Sequence, residues 1–189
     1  MRERVVIHIG ELYASREPAI VETVLGSCIA ACLYDPVRQL GGMNHFLLPE
    51  ACHDDPMPTR YGVPAMQELI RRILKLGASR ANLRAKVFGA ANVLTLGEMR
   101  LNVSRANELF IREFLAGQEI PLLAERLGGR QPLKVRMFTA SGRVLARALP
   151  DAETRRVAAI EKEHCGAALA RRWSWFEGGA ELLTAPKNE

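Results

Sequence analysis

Apolar residues fall into short alternating runs, separated by glycine, proline and small polar residues. Val5-Val6-Ile7-His8-Ile9 predicts a buried strand ended by Gly10, and Ile20 to Val24 predicts a second extended piece leading into a Gly26-Ser27 turn. Cys28 to Tyr34 is apolar and β-compatible, closed by Asp35-Pro36; Gly41 to Leu48 is the next strand, stopped by Pro49. Residues 50–64 are rich in Pro, Asp and Gly and predict a surface loop. From Pro64, a residue suited to a first helical turn, Met66, Leu69, Ile70, Ile73 and Leu74 recur at three and four residues. Gln67, Glu68, Arg71, Arg72 and Lys75 occupy the other face, and Gly77 is the stop. Leu83 to Phe88 predicts a strand. Ser104 predicts the N-cap of a second helix, with Ala106, Leu109, Phe110 and Phe114 facing inward and Gly117 at its end. Leu133 to Met137 and Arg143 to Leu149 predict a hairpin around Ser141-Gly142.

Strands outnumber helices and several are joined by short turns, which predicts an α+β fold of mainly antiparallel sheet with packed helices. Pro150 marks a boundary between a domain of residues 1–150 and a tail of residues 151–189. The tail has helical composition over 151–171, with Asp151 as candidate N-cap and Val157, Ala158, Ile160 and Leu169 available to pack. Trp173, Trp175 and Phe176 follow as a cluster, which either docks on its own domain or meets a partner.

A chain of 189 residues can bury one substantial core, and 48% hydrophobic with 25% charged residues is ordinary for a globular protein. No apolar run approaches the roughly 18–20 residues of a membrane span, and the start leads directly into a strand, so the expected location is cytoplasmic. Cys28, Cys32, Cys52 and Cys165 are too few and too unevenly spaced for a disulfide scaffold. A net charge of +5 allows affinity for anions, but the basic residues are interspersed with acidic ones, without the basic stripe of a nucleic-acid binder.

The chemistry concentrates at Cys28, in Leu25-Gly26-Ser27-Cys28-Ile29, and at His45, in Gly42-Met43-Asn44-His45-Phe46. A free thiol is only about 3% thiolate at pH 7, and a neighbouring imidazole raises that fraction. Cys28 follows a glycine turn that can bring the backbone N–H groups of Ser27 and Cys28 beside the sulfur as an oxyanion hole. Cys32, four residues on in an apolar run, reads as a space-filling cysteine, and a buried cysteine is the ordinary reading of Cys28 as well. A lone strand histidine is usually structural; His45 differs in following Gly41-Gly42, while His8, His53 and His164 lack such a context. A zinc set drawn from Cys28, Cys32, His45, Cys52 and His53 lacks a C-x2-C pair, so neither metal nor cofactor is expected.

Thr23-Val24-Leu25-Gly26-Ser27-Cys28-Ile29-Ala30-Ala31-Cys32-Leu33-Tyr34-Asp35-Pro36 resembles the signature of the CheD family, the chemoreceptor glutamine deamidases of bacterial chemotaxis. Gly41-Gly42-Met43-Asn44-His45-Phe46-Leu47-Leu48-Pro49 resembles that family's histidine segment, Ala85-Lys86-Val87-Phe88-Gly89-Ala90-Ala91-Asn92 its glycine-rich strand end, and Asn102-Val103-Ser104-Arg105-Ala106-Asn107 its second helix start. The resemblance covers roughly residues 4 to 149. It implies a layered α/β/β arrangement similar to the catalytic domain of the cytotoxic necrotizing factors. It also implies a Cys28 nucleophile, a His45 base and no cofactor, with methyl-accepting chemoreceptor cytoplasmic domains as substrates. The family's orienting threonine falls at Glu22, with Thr23 one place later. Adjacent strand residues point to opposite faces, so both cannot serve; Thr23 is preferred, because a glutamate buried at the site would demand its own compensation. Family members can also pair with a CheC-type phosphatase, which sets a regulatory binding module against the enzyme. A Cys-His protease or acyltransferase would share the thioester.

Overall fold

The computed structural model describes residues 3–50, 55–94 and 103–180, with residues 169–180 as backbone only. Among the described residues, nine strands form two sheets. β1 (Glu3–Val6), β3 (Ala19–Leu25), β8 (Leu133–Phe138) and β9 (Arg143–Ala148) make a four-stranded sheet in the order β1-β3-β8-β9. β2 (Leu12–Ser15), β5 (Leu40–Asn44), β4 (Ile29–Asp35), β6 (Arg84–Gly89) and β7 (Leu122–Leu127) make a five-stranded sheet in that order. Pairing is antiparallel except between β1 and β3 and between β6 and β7. Three helices complete the described fold: α1 (Gly62–Lys75), α2 (Val103–Gly117) and α3 (Asp151–Ala180). The α+β expectation holds, in α/β/β layers.

Strand β4 shows how the layers arise. Ile29, Ala31 and Leu33 enter one apolar cluster with Met66, Leu69 and Ile73 of α1 and Ile111 and Leu115 of α2. Ala30 and Cys32 point the other way, into a second cluster with Val21 and Leu25 of β3 and Val135 and Met137 of β8. The strand is buried on both faces and therefore reads as a continuous apolar run. Met66, Leu69 and Ile73 are fully buried, each stabilising the helix–sheet layer by about 1.5–3 kcal/mol relative to exposure.

Several expectations change. The first strand ends at Val6; Ile7 and Ile9 are buried beyond it, where Gly10 turns the chain at φ +82°. β2 and β7 were not foreseen. The inward face of α2 carries Val103, Ser104, Asn107, Ile111 and Leu115, leaving Ala106 and Leu109 exposed and Phe110 and Phe114 half-buried. Ser104 lies inside that helix and donates to Ala91 O at 2.9 Å. α3 continues to Ala180, and among its described side chains Glu161, Cys165 and Ala168 are buried, Val157 and Ala158 half-buried and Ile160 exposed. The side chains of Leu169, Trp173, Trp175 and Phe176 lie outside the described residues.

Candidate active site

Gly26, Ser27 and Cys28 form the short link by which the chain leaves β3 of one sheet and enters β4 of the other. All three carbonyls are held by the framework: Gly26 O accepts from Ala91 N at 2.7 Å, Ser27 O from Asn107 Nδ2 at 2.9 Å, and Cys28 O from Ala90 N at 2.8 Å. Asn107 also donates to Leu47 O at 2.8 Å, tying α2 to the segment after His45. Gly89, at φ +120°, lets β6 approach: a Cβ there would lie 2.0 Å from Cys28 O. With the carbonyls fixed on one side, the N–H groups turn to the other, as a small anion-binding nest.

That nest is filled by a residue absent from the sequence reading. Glu161 of α3 accepts from Gly26 N at 2.8 Å through Oε1 and from Ser27 N at 2.7 Å through Oε2. Oε2 also accepts from Ser27 Oγ at 2.8 Å, and Cys28 N lies 3.5 Å from Oε1. Glu161 is 2% exposed.

His45 follows β5 and is anchored through its backbone, its N–H donating to Glu11 O at 3.0 Å and its carbonyl accepting from Gly10 N at 2.7 Å. Its Nδ1 lies 2.8 Å from Thr23 Oγ1, which donates its own proton to Ile7 O at 2.8 Å. The hydroxyl proton is thereby committed, so Thr23 accepts from Nδ1–H and the lone pair of the ring sits on Nε2. Nε2 is buried without a hydrogen-bond partner. A ring nitrogen of His45, Cys28 Sγ and a carboxylate oxygen of Glu161 lie within 4.8 Å of one another. Thr23 and His45 also line a cleft of about 490 Å³ beside α3, with Glu161 and His164 on its far wall.

Glu22 takes no part. It lies on the opposite face of β3, paired with Arg4 at 3.0 Å, with Lys134 at 3.6 Å and with Arg136. Burial pushes its carboxyl up, but hydrogen bonds from Arg4 and Arg136 outweigh this and hold it below the usual range. Burial pushes the Cys28 thiol well above its ordinary value, and the facing Glu161 carboxylate adds to the shift. Burial pulls the His45 imidazole down to about 3, helped by the charges of His8 and His164. With α3 in place, the pair is therefore a neutral thiol and a neutral imidazole.

Among the described residues, Cys28, His45 and Glu161 are the grouping able to hold a metal ion; Cys32 is not in it, and Cys52 and His53 lie outside the described residues. Both oxygens of Glu161 already accept from N–H or O–H donors. Among the described residues, no helix is long and apolar enough to cross a membrane.

A thiol, an imidazole of fixed tautomer and a row of backbone N–H groups turned to an anion are the parts of a thiol-dependent acyl-transfer site. The family described as CheD chemotactic sensory transduction matches residues 47–148. A Xanthomonas axonopodis pv. citri protein is 52% identical over 139 residues, covering 74% of this chain and 70% of the relative. One from Stenotrophomonas maltophilia is 50% identical over 139 residues with the same coverage, and one from Thiobacillus denitrificans 47% over 144 residues, covering 74% and 71%. Each carries the name "Probable chemoreceptor glutamine deamidase CheD". The chain belongs to the CheD family.

Proposed function

We propose that the chain is a protein-glutamine deamidase that converts selected chemoreceptor glutamines to glutamate, with Cys28 as nucleophile, His45 as base and Thr23 as the residue that orients the ring. The observation that carries this reading is the hydrogen-bond line from Ile7 O through Thr23 Oγ1 to His45 Nδ1, which leaves Nε2 free toward the sulfur. Family membership and the names of the relatives supply the substrate class.

His45 Nε2 takes the Cys28 proton, and the thiolate sulfur bonds to the carboxamide carbon. The N–H groups of Gly26, Ser27 and Cys28 stabilise the oxygen as it becomes an oxyanion. His45 returns the proton to nitrogen, the C–N bond breaks and ammonia leaves. Water, deprotonated by the same ring, adds to the thioester, and the C–S bond breaks to give glutamate and the free thiol. Glutamine and water become glutamate and ammonia, with no cofactor. The deamidase unit is residues 1–150, with 151–189 as an appendage, and it works in the cytoplasm on receptor cytoplasmic domains. A CheC-type phosphatase is a second partner on the family resemblance alone, tested by co-purification.

The test is ammonia release from receptor-derived glutamine peptides. Wild type should release it, and Cys28→Ala should not; a Cys28→Ala protein of wild-type activity contradicts the mechanism. The enclosure of Cys28 and His45 favours a second reading, a regulatory binding module with little catalysis. A wild-type chain that binds receptor fragments yet releases no ammonia would establish it.

A further inference from the structure

Glu161 is a buried carboxylate on a helix whose flanking residues are mostly exposed. Burying a charge is costly unless it is hydrogen-bonded, and among the described residues no basic side chain forms an ion pair with it. Its partners are instead the main-chain N–H groups of Gly26 and Ser27 and the Ser27 hydroxyl. Gly26 makes room for it, since a Cβ there would stand 2.6 Å from Glu161 Oε2. The carboxylate thus occupies the donors that a reacting carboxamide oxygen requires, beside Cys28 and His45. A glutamate side chain is also the chemical product of glutamine deamidation. One and two turns further along α3, Cys165 and Ala168 are buried. These small residues at i+4 and i+7 let the helix lie close against the domain.

We infer that α3 is a tethered product analogue: Glu161 fills the place of the glutamate formed from substrate, so the chain inhibits itself until α3 lifts away. This rests on the deamidase reading above. The family match ends at residue 148, before α3 begins. An incoming substrate helix must displace α3 to deliver its glutamine to the same N–H groups. Enclosure by α3 also keeps the thiol protonated and the imidazole neutral, so lifting it arms the pair as well as clearing the nest.

Two readouts on the full-length protein test this: ammonia release from a receptor-derived glutamine peptide, and the rate of Cys28 alkylation by iodoacetamide. Glu161→Ala should raise both by about ten- to a hundredfold, the range expected on losing charge-assisted hydrogen bonds of this kind. Ala168→Arg, which lifts the helix without touching the N–H donors, should act in the same direction, and circular dichroism of each variant checks the fold. Glu161→Gln gives the sharper result, because the carboxamide it places in the nest is a tethered substrate. Its Cδ–N bond should break as the Cys28 thioester forms, releasing ammonia, and water should then add and break the C–S bond, restoring glutamate with a gain of one mass unit. Adding Cys28→Ala should block that conversion.

A wild type that deamidates the peptide while Glu161→Ala and Ala168→Arg leave both rates unchanged overturns the inference and spares the deamidase reading. Faster alkylation with no glutamine deamidated by any variant removes the deamidase reading and the product analogue with it. Activity released by a chelator alone, with a metal recovered from the purified protein, also overturns the inference, because an ion would then be holding the carboxylate.

Discussion

Two buried glutamates meet at β3, Glu22 on the strand itself and Glu161 reaching its C-terminal end from α3, and they are compensated in opposite ways. Glu22 stands on one face among Arg4, Lys134 and Arg136, three cations that are each at least 38% exposed. Its charge is settled by part-exposed side chains of the neighbouring strands β1 and β8, and it does structural work. Glu161 reaches the other end of the strand and is settled by main-chain N–H groups left over where β3 crosses into β4. Backbone donors with fixed carbonyls behind them cannot relax away when the anion leaves, which is what an oxyanion site requires. An ion pair shows where a charge is tolerated, and a nest of unused N–H groups shows where one is wanted.

The comparison breaks most decisively at the thiol. Cys28→Ala should lower ammonia release from a receptor glutamine peptide by about ten-thousandfold or more while leaving the fold intact, as removal of a nucleophile does in hydrolases of this type. A residual rate within tenfold of wild type would place the chemistry elsewhere.

Thr23 sharpens it next. Thr23→Val leaves the buried His45 Nδ1–H without an acceptor and should cut kcat by about ten- to a hundredfold with little change in KM. Thr23→Ser should restore most of it. A Thr23→Val enzyme with an unaltered pH–rate profile would show that the hydroxyl does not set the tautomer.

Glu22 supplies the contrasting case. Glu22→Gln removes three partly exposed ion pairs and should cost about 1–2 kcal/mol of unfolding free energy, less at high salt, with kcat unchanged. Denaturant melts at low and high ionic strength would check this, and a loss of activity without loss of stability would contradict it.

The same contrast appears in the pH dependence of stability. The Glu22 carboxyl is held below its unfolded value, so its contribution to stability is present above that value. It disappears as pH falls through the depressed folded value, in the acid range below about 4. His45 is pulled down to about 3. Its unfolded form binds a proton below about 6.5, which the folded form refuses until about 3, so stability falls with acidification across that window. His45→Gln should flatten the stability profile between about pH 6.5 and 4, and an unchanged slope there would contradict the buried neutral ring.

The apolar patterns of β4, β5, β6 and the β8–β9 hairpin, between glycine and proline stops, gave the α+β class of mainly antiparallel sheet, and the family resemblance supplied the α/β/β layering. Cys28 and His45 were singled out by the glycines before them together with the family resemblance, and Thr23 by the position of the family's orienting threonine combined with strand alternation. β7 was missed because its middle residues are exposed and its pairing with β6 is long-range. β2, four half-buried residues, offers no alternation to read. The inward face of α2 was misjudged because Ser104 and Asn107 occupy it, bound to Ala91 O, Ser27 O and Leu47 O, and an apolar count passes over them. Glu161 was invisible for the same reason in stronger form. It lies among charged residues of α3, and its partners at Gly26 and Ser27 are more than 130 positions away. A search for acidic residues at helical spacing with cysteine and alanine, as in Glu161, Cys165 and Ala168, would have been the one available signal.

The most direct measurement is mass spectrometry of a receptor cytoplasmic fragment after incubation with wild-type or Cys28→Ala protein. Wild type should convert discrete glutamines to glutamate, each gaining one mass unit, while Cys28→Ala leaves every glutamine unchanged. Equal conversion by both proteins, or none by wild type and none by Glu161→Ala, would contradict the account.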